Sequence, residues 1–529
     1  MAAQQVTLTQ ARRRPEEAEM YDLAAVNPSS AGFYLDRSGA MVVWVHDAIE
    51  DARSQREVTR LIMNGRVRAP RGIATPVVVR RAQYTFAQLA TWRDVVYDSI
   101  LFKQRGVVSL DLDETVNRVA IGVTPSDGPA LRPQLAAYLA RLGVDTGAVE
   151  FRTEEPARPT RGLGLGGMIP GNLLYRSDTM VGGIVIGIEN QYAPSGRAEC
   201  SLGFVADYNG VRGFVTASHC TPYEFGVDWS LVHQDYGGRV VGYEYADPQG
   251  YQCGYGMCRG SDASFFKLDD TVPSLRGLIA RTLSAAPPGT GPGSTTSDAS
   301  HPYFIVTGVD QGYYFVGMNV QKMGWKAGWT SGAIVGTCVD HQNGPWYSFY
   351  GTTCAYQATY ADSSGDSGGP VFTFPGTAGA VGDLVELAGV QFGERTGYAM
   401  FSKFSRINND FGGNLVATRP LTLGTPSVSG AMNYNNPSIS WAAVTGATRY
   451  QIIRVTFDGS TVRVDYLPQV TSTSFVDGVT LATSYNGTTP IGSGIYAWYQ
   501  VIAIGGSSEL SAPSTAVWFQ TTNTCTGRC

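Results

Sequence analysis

Two hydrophobic periods divide this chain. In the first part, apolar residues recur at helical spacing. Tyr84–Leu101 sets Phe86, Leu89, Trp92, Val96 and Ile100 along one face, Asp47–Arg60 is charged and amphipathic, and Leu135–Leu142 predicts a third helix. Between and after these lie alternating segments, Phe33–Val45 and Val107–Val123, in which Val108, Leu110, Val116 and Val119 sit among polar positions as in strands. Residues 1–152 are therefore expected to form an α+β unit. The pattern breaks over 153–180, where Pro156, Pro159 and Pro170 surround Gly162, Gly164, Gly166 and Gly167, the composition of an exposed linker open to cleavage.

Over 181–418 the period becomes that of short strands. They are expected at Gly183–Ile188, Leu202–Tyr208, Gly213–Ala217, Val240–Tyr245, Ala263–Leu268, Tyr313–Val320, Ala333–Val339, Val371–Phe374 and Glu386–Phe392. The Pro/Gly/Ser-rich passage Ala285–Pro302 splits them into two groups, which suits two β-barrels joined by a crossing loop. Residues 419–520 predict a β-sandwich of seven or so strands with a Trp in the second, among them Ser438–Trp441, Thr448–Val455 and Tyr496–Ile504. A short tail, 521–529, follows. The expected fold class is mainly β.

Composition narrows the function. Among 529 residues, 64 are Gly and only 16 % are charged, which favours turns and short strands over long solvated helices. A net charge of −5 leaves no basic excess to neutralise phosphates, so nucleic acid is not an expected partner. No apolar run reaches the length of a membrane span. The eight Cys lie at 200, 220, 253, 258, 338, 354, 525 and 529, in four local couples. Such couples among Gly-rich turns read as disulfide loops formed in an oxidising compartment. Zinc is the competing use of thiolates, but no couple has the two-residue spacing of a zinc knuckle, and no metal or cofactor is expected. Arg12, Arg13 and Arg14 are followed by Pro15, Glu16 and Glu17 and not by an apolar stretch, so no secretion signal is visible; a trimmed leader or a misplaced start is expected.

The sharpest local feature is Ser363-Ser364-Gly365-Asp366-Ser367-Gly368-Gly369-Pro370. Acyl transfer needs a nucleophile on a turn tight enough for backbone N–H groups to converge on a developing oxyanion, and glycines at 365, 368 and 369 permit one. The same motif matches the nucleophile elbow of α/β-hydrolases, which requires a His after the Ser. All five His (46, 219, 233, 301 and 341) precede Ser367, so the elbow fails. His219 ends the apolar run Gly213–Ala217 beside Cys220 and is the expected base; the other four read as structural. Asp262, at the mouth of the strand Ala263–Leu268, is the expected orienting acid, with Asp228, Asp235 and Asp247 as competitors.

Thr216-Ala217-Ser218-His219-Cys220, Ser261-Asp262-Ala263-Ser264 and Gly365-Asp366-Ser367-Gly368-Gly369-Pro370 stand in the order His, Asp, Ser. That order and wording resemble the chymotrypsin-like serine proteases, and Cys200-Ser201-Leu202-Gly203-Phe204, Cys253 to Cys258 and Gly328-Trp329-Thr330-Ser331-Gly332 bring the resemblance closer to the secreted bacterial streptogrisin and α-lytic protease branch. The resemblance covers roughly residues 180–410. Residues 30–150 also look like the pro-regions of that group, best at Val107–Ala120. The segments Ile439–Tyr450 and Tyr499–Ile504 resemble fibronectin type III modules.

The resemblance implies a double-barrel protease in which Ser367 attacks the peptide carbonyl, His219 moves the proton and Asp262 holds the imidazole. Backbone N–H groups of Gly365 and Ser367 would form the oxyanion hole, and Asp366 would shape the turn from a buried pair. It implies the disulfides Cys200–Cys220, Cys253–Cys258 and Cys338–Cys354, leaving Cys525 with Cys529. Ala361, Asp362, Gln391, Phe392, Gly393 and Gly397 would line the specificity pocket, with Asp362 either favouring a basic side chain or standing exposed on a loop. Ser218 departs from the usual Ala or Gly, and no Cys braces the strand Gly389–Gly393. The expected function is a secreted serine endopeptidase made as a zymogen, acting on proteins or peptides. Its N-terminal unit would serve as an intramolecular partner, and its C-terminal module would reach an extracellular surface or polymer. The competing readings are an inactive protease-like binding protein and a serine esterase.

Overall fold

The structure is a computed structural model that describes residues 11–47, 51–63, 75–159, 172–173, 179–192, 196–234, 239–299, 301–309, 314–343, 349–374, 384–395, 397–457, 461–488, 495–506 and 509–523. It is mainly β. Among the described residues no helix is long and apolar enough to cross a membrane.

Among the described residues the α-helices fall in the N-terminal unit apart from one. They are α1 (Ala18–Val26), α2 (Asp51–Met63), α3 (Phe86–Ser99) and α4 (Gly128–Arg141), with α5 (Phe404–Asp410) late in the chain. α3 starts at Phe86 because Thr85 and Gln88 form a reciprocal capping box, and it buries Phe86, Leu89 and Val96. α4 begins seven residues before the expected Leu135 and runs through Pro133, with a proline in its first turn, where a missing N–H costs nothing.

One eight-stranded sheet holds Val185–Glu189, Arg197–Ser201, Phe204–Tyr208, Val211–Thr216, Leu231–His233, Val240–Ala246, Ser264–Leu268 and Leu415–Val416. A second, fifteen-stranded sheet contains Asn319–Gly324, Gly328–Asn343, Tyr350–Ala358, Pro370–Thr373, Leu384–Arg395 and Tyr398–Lys403. Two expectations are corrected here. The passage 285–302 does not separate the two sheets: Ser274–Ala280 before it pairs antiparallel with Tyr303–Val309 after it, and both belong to the second sheet. Nor are residues 314–318, the first described part of the expected Tyr313–Val320, a strand. Val316 and Gly317 form a turn, with Gly317 at φ +93° and its N–H bonded to Ile334 O, and extended structure resumes only at Asn319. Alternating apolar residues there are buried by a turn against Leu35 and not by a pleat.

The N-terminal unit is stitched into both neighbours. Val107–Asp113 pairs with Arg118–Val123 and, through Leu110 opposite Asp340 and Ser109 opposite His341, continues the second sheet. Ser30–Leu35, Met41–Val45 and Thr75–Arg81 form a ribbon whose last strand pairs with Thr461–Tyr466 of the C-terminal unit. That unit places Val428–Asn433, Asn436–Trp441 and Ser474–Val476 in one sheet and Ala447–Phe457, Thr461–Tyr466, Leu481–Tyr485, Tyr496–Gly505 and Val517–Asn523 in the other. Ile439, Trp441, Tyr450 and Tyr499 are buried between them.

Candidate active site

Three loops bring the candidate residues together. Strand Val211–Thr216 ends in a single 3-10 turn, Ser218–Cys220, that carries His219 and is tied by Cys200–Cys220 to Arg197–Ser201, a strand of the same sheet that does not pair with it. Asp262 precedes the strand Ser264–Leu268, whose Ser264 lies opposite Thr216, so pairing alone brings the acid beside the imidazole. His219 Nδ1 lies 2.7 Å from Asp262 Oδ2, the His219 backbone N–H donates to Asp262 Oδ1 at 3.1 Å, and His219 Nε2 lies 2.8 Å from Ser367 Oγ. All three side chains are buried. Burial works against the Asp262 charge, but the facing His219 ring, the two His219 N–H bonds and Arg259 outweigh it and hold this carboxyl below the ordinary aspartate range.

The Ser367 turn depends on glycine at two points. Gly365 has φ +118°, and a Cβ there would stand 2.8 Å from the Trp325 ring; Gly368 has φ +86°, and a Cβ would collide with Thr216 Oγ1. The turn is pinned by Ser201, which donates its N–H to Ser367 O at 2.7 Å and its hydroxyl to Gly365 O at 3.0 Å. Asp366 is the buried centre of this loop. It takes Lys322 Nζ at 2.6 Å and the N–H groups of Ser363, Lys326 and Ala327 at 2.9, 3.0 and 3.1 Å. The unnamed partner of Asp366 is thus Lys322, which lies on the adjacent strand Asn319–Gly324.

The competing acids have other work. Asp247 is salt-bridged to Arg259 at 2.5 Å and accepts from Ser218 Oγ at 2.7 Å. Arg259 in turn donates to Ser261 O and Ala263 O at 2.7 and 2.8 Å, the carbonyls on either side of Asp262. A buried bracket therefore joins the residue before His219 to the backbone around Asp262, which accounts for Ser218 in place of a smaller residue. No motif marked Arg259; its signal was an arginine beside Cys258 and shortly before the buried strand Ser264–Leu268, where a charge must be paired. Asp228 closes its own loop, accepting from Ser230 N–H at 2.9 Å, and Asp235 lies outside the described residues.

Asp228 also gives its N–H to Glu244 Oε2 at 2.7 Å, while Glu244 Oε1 is buried without a hydrogen bond. Burial first, then the nearby Asp247 charge, pushes the Glu244 carboxyl up to about 9. A carboxyl raised in the fold contributes fully below its unfolded value and costs stability as pH climbs towards the folded value. Glu244→Gln is therefore expected to match the parent at pH 4 and to exceed it at pH 7 by about 1–3 kcal/mol. Guanidinium unfolding at the two pH values measures this; an advantage that does not grow with pH would contradict it.

Of the residues expected to line a specificity pocket, Gln391 is fully buried and binds Tyr360 OH at 2.6 Å, Asp362 Oδ2 at 3.0 Å and Gly393 O at 2.7 Å. Asp362 is not an exposed loop carboxylate. It is partly buried against Gln391, and desolvation, with Asp366 and Glu394 adding to it against Lys322, pushes it up to about 7. Ala361 O accepts from Thr330 Oγ1 at 2.7 Å, Phe392 is buried, and Gly397 is exposed at a turn with nothing within 4 Å of a Cβ. Cys253–Cys258 and Cys338–Cys354 are bonded like Cys200–Cys220, while Cys525 and Cys529 lie outside the described residues. Of the remaining histidines, His341 is buried beside Arg395, and both factors hold its ring well below the ordinary range.

No family model matches the chain, and no curated protein matches it by sequence. Among solved structures it is similar to Thermobifida fusca protease A, at 19 % identity over 46 % of this chain and 100 % of that one with a TM-score of 0.30. Nocardiopsis protease matches at 18 % identity over 45 % and 99 % of the two chains with a TM-score of 0.30. A Cellulomonas bogoriensis chymotrypsin matches at 20 % over 45 % and 98 %, with a TM-score of 0.29.

Proposed function

We propose that this chain is a serine endopeptidase, secreted and made as a zymogen. The observation that carries the reading is the continuous relay Asp262–His219–Ser367, with both imidazole nitrogens at hydrogen-bond distance from the groups the chemistry requires. Ser367 Oγ attacks the peptide carbonyl as His219 Nε2 takes its proton. Asp262 fixes the tautomer with Nδ1 protonated and stabilises the imidazolium. The N–H groups of Gly365 and Ser367 stabilise the oxyanion. Collapse breaks the C–N bond, the His219 proton passes to the leaving amine, and water enters by the reverse sequence to release the acid and restore Ser367.

Latency comes from obstruction of the cleft. Arg158–Pro159 pairs with the strand that carries Phe392 and Gly393 beside Ser367, where a substrate would lie. The Lys322–Asp366 pair is already formed in the intact chain, so the nucleophile turn does not wait for cleavage to take shape. Removal of the blocking segment is then sufficient for activity. Three buried disulfides suit an oxidising, extracellular setting. The C-terminal unit, with strands in a three-stranded sheet facing a larger one, is read as a fibronectin type III-like module that spaces or targets the enzyme.

The test is a fluorophosphonate label applied before and after limited proteolysis between 160 and 178, with the adduct mapped by mass spectrometry. Weak labelling that rises strongly after the cut, on Ser367, is the expected result. A folded, cut protein that takes no label would overturn the enzyme reading; equal labelling before and after would overturn latency alone.

A further inference from the structure

The segment that fills the cleft also carries information about what the cleft accepts. Arg158 stands opposite Glu394 and Pro159 opposite Gly393, antiparallel. On the other side, Ala157 forms a parallel bridge to Asn343 and gives its N–H to Gln342 O at 3.1 Å. The peptide is thus held as a strand between two strands. A Cβ on Gly393 would stand 2.8 Å from Arg158 O, so the cleft admits a peptide backbone here because that residue is glycine. One residue before Gly393, Phe392 O lies 3.4 Å from Ser367 Oγ. A peptide in this register therefore has Pro159 two residues, Arg158 three and Ala157 four before the bond presented to Ser367.

Resting on the protease reading above, we propose that the enzyme selects substrates with a small side chain four residues before the scissile bond, with a basic residue favoured at the third and proline accepted at the second. The fourth position dominates. Ala157 is 2 % exposed and packed in the hydrophobic cluster that holds Phe392 and Met400, so a larger side chain must displace well-packed neighbours, a penalty of about 5- to 150-fold. Arg158 and Glu394 face each other across the ladder in solvent, where opposite charges are worth about two- to fivefold. Pro159 has no N–H to give, and alternate residues of an antiparallel ladder need none.

The full chain, cut in the linker until fluorophosphonate labelling reaches a plateau, is incubated with a proteome-derived peptide library and the cut sites are sequenced. Ala, Gly and Ser should exceed Leu and Phe at the fourth position by at least about fivefold. Arg and Lys should exceed Asp and Glu at the third by about two- to fivefold, and Glu394→Gln should abolish that bias. Labelled enzyme that cuts equally well after Leu or Phe at the fourth position overturns this inference and leaves the protease reading intact. An enzyme that neither labels nor cuts overturns both.

Discussion

Ser367→Ala is expected to reduce turnover of peptide and ester substrates by a factor on the order of 10⁶ and to abolish fluorophosphonate labelling. In the proposed mechanism Ser367 and His219 act as one unit across their 2.8 Å contact, so His219→Ala and the double variant should lose about as much as either single change. Asp262→Asn should lose less, on the order of 10⁴-fold. An amide there can offer an N–H to Nδ1 and so favour the imidazole whose proton is on Nε2, the nitrogen that must accept from Ser367. Because Asp262 also receives the His219 backbone N–H, the geometry of the turn should survive that change. Steady-state rates normalised to folded protein measure all four variants. If Ser367→Ala retained activity within about tenfold of the parent, another nucleophile would be responsible.

Lys322→Met should be the most damaging single substitution away from the reacting atoms. Lys322 and Asp366 are both fully buried, and the change leaves a carboxylate facing three backbone N–H groups with no counter-charge. Breaking one side of such a pair costs about 3–5 kcal/mol. The loss falls on the loop that positions Ser367, because the N–H groups of Ser363, Lys326 and Ala327 converge on Asp366 only while its charge is held there. Denaturant unfolding should show the full loss, and labelling of the cut protein should fall even under conditions where the variant remains folded. Lys267→Met, on a half-buried side chain outside this loop, should change stability by no more than about 0.5 kcal/mol. Equal behaviour of the two variants would remove the pair from any role in the turn.

Much of the site is legible without coordinates because its chemistry is local. The turn around Ser367 needs glycine at 365 and 368 for positive φ and for close approach to Trp325 and Thr216, and both glycines lie within two residues of Ser367 in the chain. His219 beside Cys220 and Asp262 before an apolar strand are equally local. The strand pattern over 181–418 was legible for the same reason, since a half-buried strand repeats every second residue; it failed at Tyr313–Val320, where a turn buries the same residues without a pleat.

The sequence by itself singled out Ser367 as the candidate nucleophile and His219 as the candidate base, and a chain of mainly strands. Only the tertiary structure decided which carboxylate meets the imidazole and which cation neutralises Asp366. It also brought Arg259 to the carbonyls beside Asp262, and laid Ala157–Pro159 between Asn343 and Gly393. Apart from the Arg259 bonds, each of those contacts joins segments far apart in the chain. A strand edge offers the same N–H and C=O groups to any partner, so its choice is made by burial and charge pairing in three dimensions and leaves little mark on the order of residues.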